Sequence, residues 1–282
     1  VAATAAPNNN NARIVTIRNF HTVTITVDVE YDNVIVESGA QLTVNPSVTH
    51  VLNNGSVTGT DLIIQGTFLN RGSNWVTSGA TWSVAAGGTY IHDTTNDIAG
   101  PLDNATLESG SSFIYRKSSA SNPNTDLANQ TYSNLAFETT SGTYTLSFLS
   151  TSPLTVNGTF RVGPNVNWSK SATGALILNG DVLLEGSLTS NTSITIGNVK
   201  ELTLSGTGTA VMTAQTLTIN GTLRTGSSSI SGAGNFVLGA TGILEIGSPD
   251  GITTSPTALG SIRNTGTRTF NTSGSYVYNG SV

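Results

Sequence analysis

No cysteine occurs in the 282 residues, and methionine occurs once. Disulfides, thiolate metal sites and cysteine nucleophiles are therefore excluded. Charge is also scarce: 11 Lys and Arg stand against 16 Asp and Glu, and charged residues make up 10% of the chain. Soluble proteins average roughly 25%. A net charge of -5 and thinly spread basic residues exclude a phosphate-binding stripe, so nucleic acid is not an expected partner. No apolar run approaches the roughly 20 residues of a membrane helix, and membrane insertion is not expected. Helical periodicity is nearly absent.

In place of charge the chain carries Thr, Ser, Asn and 31 glycines. Residues 1–12 have no periodicity and read as a flexible leader, with the start of the chain resembling a mature N-terminus after signal removal. From residue 13 onward short alternating segments begin. Val23-Thr-Ile-Thr-Val-Asp-Val places Val23, Ile25, Val27 and Val29 on one strand face. The same unit then recurs as Leu62-Ile-Ile-Gln-Gly-Thr-Phe, Leu154-Thr-Val-Asn-Gly-Thr-Phe, Leu176-Ile-Leu-Asn-Gly-Asp-Val, Leu202-Thr-Leu-Ser-Gly-Thr-Gly and Leu217-Thr-Ile-Asn-Gly-Thr-Leu.

Leu154 and Leu176 are 22 residues apart, Leu176 and Leu202 are 26 apart, and Gly186, Gly206 and Gly226 follow at intervals of 20. A period in the low twenties is the length of one solenoid coil. A three- or four-residue strand buries too little to persist alone, but stacked on its equivalent from the next coil it satisfies its backbone and buries alternate side chains. The expected fold is all-β: a single-stranded right-handed parallel β-helix over 13–282, of about 13 coils of roughly 20–22 residues each. An antiparallel sandwich is the rival, because Asn-Gly, the hairpin signal, stands at Asn54, Asn157, Asn179, Asn220 and Asn279. A polar stretch near 116–133 reads as a loop inserted into one coil. No polar cap is visible at the C-terminus, so the chain is expected to continue beyond it.

Chemistry is hard to find in the sequence. His21, His50 and His92 have no metal-ligand spacing and are expected at the surface. Asp28, Glu30 and Asp32 alternate with Val27 and Val29 and are expected to face outward, with Glu37 nearby; a calcium site is the alternative. Asp93, Asp97 and Asp103 form a looser group without a basic partner, and Asp250 sits in a turn sequence. Trp75, Trp82 and Trp168 are expected in the core rather than as a sugar-binding platform. Thr22, Thr24 and Thr26, Thr207 and Thr209, and Thr216 and Thr218 would suit ice only if such rows continued in register. No catalytic, metal or cofactor site is expected, and the protein is not expected to be an enzyme.

The stretch Gly232-Ala-Gly-Asn-Phe-Val-Leu-Gly-Ala-Thr-Gly-Ile-Leu-Glu-Ile-Gly-Ser-Pro-Asp-Gly-Ile, with Gly266-Thr-Arg-Thr-Phe and Tyr276-Val-Tyr-Asn-Gly, resembles repeats of large secreted surface proteins of the Bacteroidetes. The opening Arg18-Asn-Phe-His-Thr-Val-Thr-Ile and Val34-Ile-Val-Glu-Ser-Gly-Ala-Gln-Leu-Thr-Val are similar to first coils of the same proteins. The resemblance implies export by the type IX secretion system and an extracellular, adhesin-like, stalk or filament role. It also implies possible O-glycosylation of Thr94, within Asp93-Thr-Thr. Glycans or cell surfaces are the partners to expect, with end-to-end self-association as another route. A polysaccharide-degrading or polysaccharide-binding β-helix is the first alternative, and an ice-binding solenoid the second.

Overall fold

The computed structural model describes residues 14–55, 59–95, 98–116, 127–252 and 260–280. The leader at 1–12, most of the expected loop (117–126) and Asp97 lie outside the described residues. The protein is an all-β parallel β-solenoid. Its chain divides into two compact units, Val1–Ser118 and Ser119–Val282.

In the first unit each coil lays down strands on successive sheets. One sheet contains Val15–Ile17, Val34–Val36, Leu62–Ile64, Trp82–Val84 and Ala105–Leu107. A second contains Thr22–Ile25, Gln41–Val44, Thr67–Asn70, Thr89–His92 and Ser112–Arg116. Val29–Tyr31, Thr49–Asn53 and Asn74–Ser78 form the third. The one described helix is a single turn, Ala99–Leu102.

The second unit repeats the scheme. Its longest run of paired strands is Asn134–Glu138, Phe160–Val162, Val182–Leu184, Glu201–Leu204, Thr222–Arg224, Ile243–Ile246 and Ser275–Tyr278. Beside it run Tyr144–Phe148, Val166–Lys170, Ser187–Ser190, Thr209–Met212 and Ile230–Ser231. Two shorter sheets carry Thr131–Tyr132, Leu154–Val156 and Leu176–Leu178, then Ile194–Ile196, Thr216–Ile219, Asn235–Leu238 and Arg268–Phe270.

All described pairings between these strands are parallel, and a single isolated antiparallel bridge joins Asn53 to Gly79. The sandwich rival is thereby excluded. Coil length varies more than the sequence period suggests. Val23 pairs with Leu42, 19 residues on, whereas Leu244 pairs with Tyr276, 32 residues on. The likeness between Leu176 and Leu202 is also not a register: Leu176 pairs with Leu154, and Leu202 with Val182 on another sheet. Near-identical strand sequences fall on different sides of a coil because each side makes the same demand, alternate burial.

The Asn-Gly positions turn corners rather than hairpins. Gly180 needs no left-handed backbone. A Cβ there would stand 1.9 Å from the Gly158 carbonyl oxygen of the preceding coil, so stacked corners demand the absence of a side chain. Inside, Phe68, Trp82, Tyr90 and Phe113 fill the first unit and Phe137, Phe160, Trp168 and Phe148 the second, all at most 2% exposed. Most rings pack edge-on or tilted, as between Phe68 and Trp75 at 5.5 Å, and a few stack, as do Phe148 and Trp168 at 6.1 Å.

Candidate functional site

The second unit carries a notch whose origin is the unequal length of successive corners. Between the longest sheet and its neighbour, the corner after Glu138 runs over 139–143, the next over 163–165, the next over only 185–186, and the next over 205–208. The tight corner at Glu185-Gly186 leaves a recess between the coils above and below it. Two strand spacings, about 9.6 Å, separate those flanking coils. A Cβ on Gly186 would stand 2.2 Å from the Val166 carbonyl oxygen, so position 186 cannot carry a side chain.

Thr143, Asn165, Asn167, Ser187, Thr207 and Thr209 line the recess with Gly186, around a volume of about 380 Å³. The lining holds four hydroxyls and two carboxamides, with no charged and no aromatic side chain. Asn167, Ser187 and Thr209 are adjacent in register on three coils. Thr209 Oγ1 donates to Ser187 Oγ at 3.1 Å, and Thr207 Oγ1 to the Glu185 carbonyl at 3.2 Å. The amides of Asn165 and Asn167 are exposed. Asn165 holds φ at 62°, a left-handed conformation that asparagine tolerates. Such a surface presents donors and acceptors at one-coil spacing without a fixed charge.

The expected acidic face is divided by the structure. Asp28 and Glu30 are exposed and act as braces to the next coil: Asp28 Oδ1 accepts from Thr49 N at 2.8 Å, Glu30 Oε2 from Asn53 Nδ2 at 3.3 Å. Glu37 Oε2 accepts from Asn19 N at 3.1 Å. Asp32 does not face outward. It is 7% exposed, because strict alternation ends at Tyr31 and the corner 31–34 is buried throughout. Asp93 has a basic partner after all: Arg71 Nε reaches its Oδ2 at 2.9 Å from the coil below. Asp103 and Asp250 are exposed.

Two arrangements were hidden from sequence reading because their members lie one coil apart. Arg161 stands between Glu138 and Glu185, at 2.7 and 2.6 Å. Arg224 stands between Glu201, at 2.8 Å, and Glu245. Each row holds two carboxylates and a cation, the inventory of a polysaccharide-cleaving groove. Glu201 is nevertheless held below the ordinary carboxylate range: burial pushes its pKa up, but hydrogen bonds from Arg224 and Thr203 and the Arg224 charge outweigh it. It stays ionised at neutral pH and has no proton to give.

The histidine expectation fails at two of three positions. His21 is exposed, but His50 and His92 are 0% and 1% exposed. They belong to a buried polar chain in the first unit. Tyr31 Oη lies 2.9 Å from His50 Nδ1, and His50 Nε2 lies 3.2 Å from Asn70 Oδ1. Asn70 Nδ2 donates to Tyr90 Oη at 3.1 Å, which lies 3.2 Å from His92 Nδ1. Since Asn70 Oδ1 only accepts, His50 carries its proton on Nε2 and accepts the Tyr31 hydroxyl on Nδ1. Tyr90 takes the Asn70 amide and is hydrogen-bonded in turn to His92. Burial lowers the His50 pKa to about 4, against a smaller upward effect of the Asn70 bond. Periodicity could not show this, because histidine and asparagine are polar in any hydropathy reading.

Trp75, Trp82 and Trp168 are buried as expected, at 6%, 0% and 1% exposure. The threonine rows are interrupted: Thr22 is followed in register by Gln41 before Thr67 and Thr89, Thr24 and Thr43 by Leu69, Ile91 and Ile114, and Thr218 by Val237. Thr94 is 8% exposed, and its Oγ1 donates to the Gly72 carbonyl at 2.7 Å. Among the described residues no three His, Asp or Glu side chains group as a metal site, and no helix is long and apolar enough to cross a membrane. Comparison of the chain with protein-family models, with the curated proteins and with the solved structures finds no match.

Proposed function

We propose that this protein is a non-enzymatic, extracellular structural and adhesive solenoid whose notch at Asn165, Asn167, Ser187 and Thr209 contacts neutral glycans. The observation that carries the reading is the lining of that recess, hydroxyls and carboxamides only. Sugar hydroxyls are matched by groups that both donate and accept, and a surface poor in charge does not draw polyanions. One such site binds weakly, and repetition along a surface supplies the rest by avidity. The backbone ladder makes the scaffold stiff without disulfides. The resemblance to type IX secreted surface proteins of the Bacteroidetes supports a place outside the cell.

The test is retention of the full chain on immobilised neutral polysaccharides (mannan, β-glucan, starch) and acidic ones (pectate, heparin). Retention on at least one neutral polymer, insensitive to salt and weakened about tenfold or more in Asn167→Ala/Thr209→Val, is the expected result. Binding confined to acidic polymers, or release of reducing ends from any of them, overturns it.

A further inference from the structure

A second site stands in the first unit, at the corner that precedes the strands Val34–Val36 and Leu62–Ile64. In register, Val34 lies on Leu62 and Leu62 on Trp82. The residues just before them, Asn33, Asp61 and Thr81, therefore form a polar column. The backbone accounts for most of it: Val34 N donates to the Asp61 carbonyl at 2.8 Å and Asp61 N to the Thr81 carbonyl at 2.9 Å. Asp61 Oδ2 accepts the Thr81 amide at 2.7 Å and the Thr81 hydroxyl at 3.3 Å.

What remains is unaccounted for. Asp32 and Asp61 are 7% and 1% exposed, and Oδ1 of each is buried with no hydrogen-bond partner. Nδ2 of Asn33, itself 8% exposed, is also unpartnered. The three belong together, since the Asp32 carboxyl interacts with both the Asp61 carboxyl and the Asn33 side chain. The described ion pairs include neither aspartate. Gly55 covers the group, with room for no side chain: a Cβ there would fall 1.5 Å from Asp32 Oδ2.

Two adjoining buried carboxylates are not stable as a bare pair. Either a proton or a cation must lie between them. A shared proton would join the two carboxyls but would leave the Asn33 amide beside Asp32 without a well-formed hydrogen bond. A half-turn of that amide turns its oxygen toward the carboxyls instead, so that this corner can offer three oxygens. We propose that Asp32, Asn33 and Asp61 bind an oxygen-seeking divalent cation of the calcium class, which ties the second coil to the third. The site is independent of the notch and of its ligand.

The experiment is thermal unfolding of the full chain at about pH 8, chelator-treated and then supplied with millimolar Ca²⁺ or Mg²⁺, with calorimetric titration of Ca²⁺ alongside. Calcium is expected to raise the melting temperature by about 4 °C or more, and Asp61→Asn and Asp32→Asn to lose that response. Metal-free Asp61→Asn is expected to melt no lower than the metal-free parent, because one like charge is gone. Should Asp61→Asn not fold, calorimetry on the parent chain and on Asp32→Asn decides. No calcium response, an undiminished response in both variants, or a metal-free melting temperature that simply falls from acid to neutral pH without any cation effect overturns the proposal. The last of these identifies a shared proton instead.

Discussion

Tyr31 donates its hydroxyl to Nδ1 of His50 across 2.9 Å, a bond that exists only while the imidazole is neutral. The ring is also stacked on Trp75 at 5.3 Å and 19°. Its hydrogen-bond partners are Tyr31 and Asn70, neither of them a carboxylate, so protonation places an uncompensated charge among aromatics.

Acid should therefore weaken the first unit. The His50 pKa falls from 6.5 in the unfolded chain to about 4 when buried. A lowered histidine pKa means that the unfolded chain binds the extra proton first. Its contribution is fully present above about pH 6.5, shrinks as pH falls, and is lost near pH 4. The loss over that window is on the order of 3 kcal/mol. Urea unfolding at neutral pH and near pH 4.5 should show a steeper decline for the parent chain than for His50→Phe. That variant pays for the unpaired Tyr31 hydroxyl by about 1–3 kcal/mol at every pH. Equal declines in the two proteins would show that His50 does not titrate between the states.

Two kinds of glycine should respond differently to alanine. Gly180→Ala drives a methyl group to 1.9 Å from a backbone oxygen, so coils must separate, and a loss of about 3 kcal/mol or more is expected. Gly206→Ala meets open space but holds φ at 61°, which costs about 1 kcal/mol. Midpoints of urea unfolding rank the two. An equal effect would mean that backbone angle, not coil contact, sets the requirement.

Arg161→Gln removes the cation between Glu138 and Glu185. All three side chains are roughly a quarter to a third exposed, so solvent screens the pair and the loss should be about 1 kcal/mol. High salt should shrink the difference between variant and parent, since the residual repulsion of the two glutamates is then screened. A salt-independent loss of several kcal/mol would make the row part of the packed core rather than a brace on its surface.

Much of the architecture was legible because it rests on local, repeated demands. Leu154-Thr-Val and Leu176-Ile-Leu announce strands by alternation, and their short length leaves stacking as the only way to satisfy them. The Glu138–Arg161–Glu185 row was not legible, since its members are 23 and 24 residues apart and coil lengths vary between them. Asp32 escapes alternation, which assigns faces within a strand and says nothing at a corner, whereas His50 and His92 lie within strands, His50 in phase with buried Leu52, and only their polarity reads as outward.

By itself the sequence determined that short β-strands recur at coil length, that no disulfide or dense charge holds them, and that apolar residues alternate with polar ones, inward in most coils although Val23 and Val27 of the first stay exposed. Only the tertiary structure decided which polar groups face one another: Tyr31 with His50, Asp32 with Asp61, Asn167 with Ser187. Strand propensity is a property of a few consecutive residues. Contacts between coils depend on the summed length of every intervening corner, and one residue more or fewer at Glu185-Gly186 would close the notch or move it.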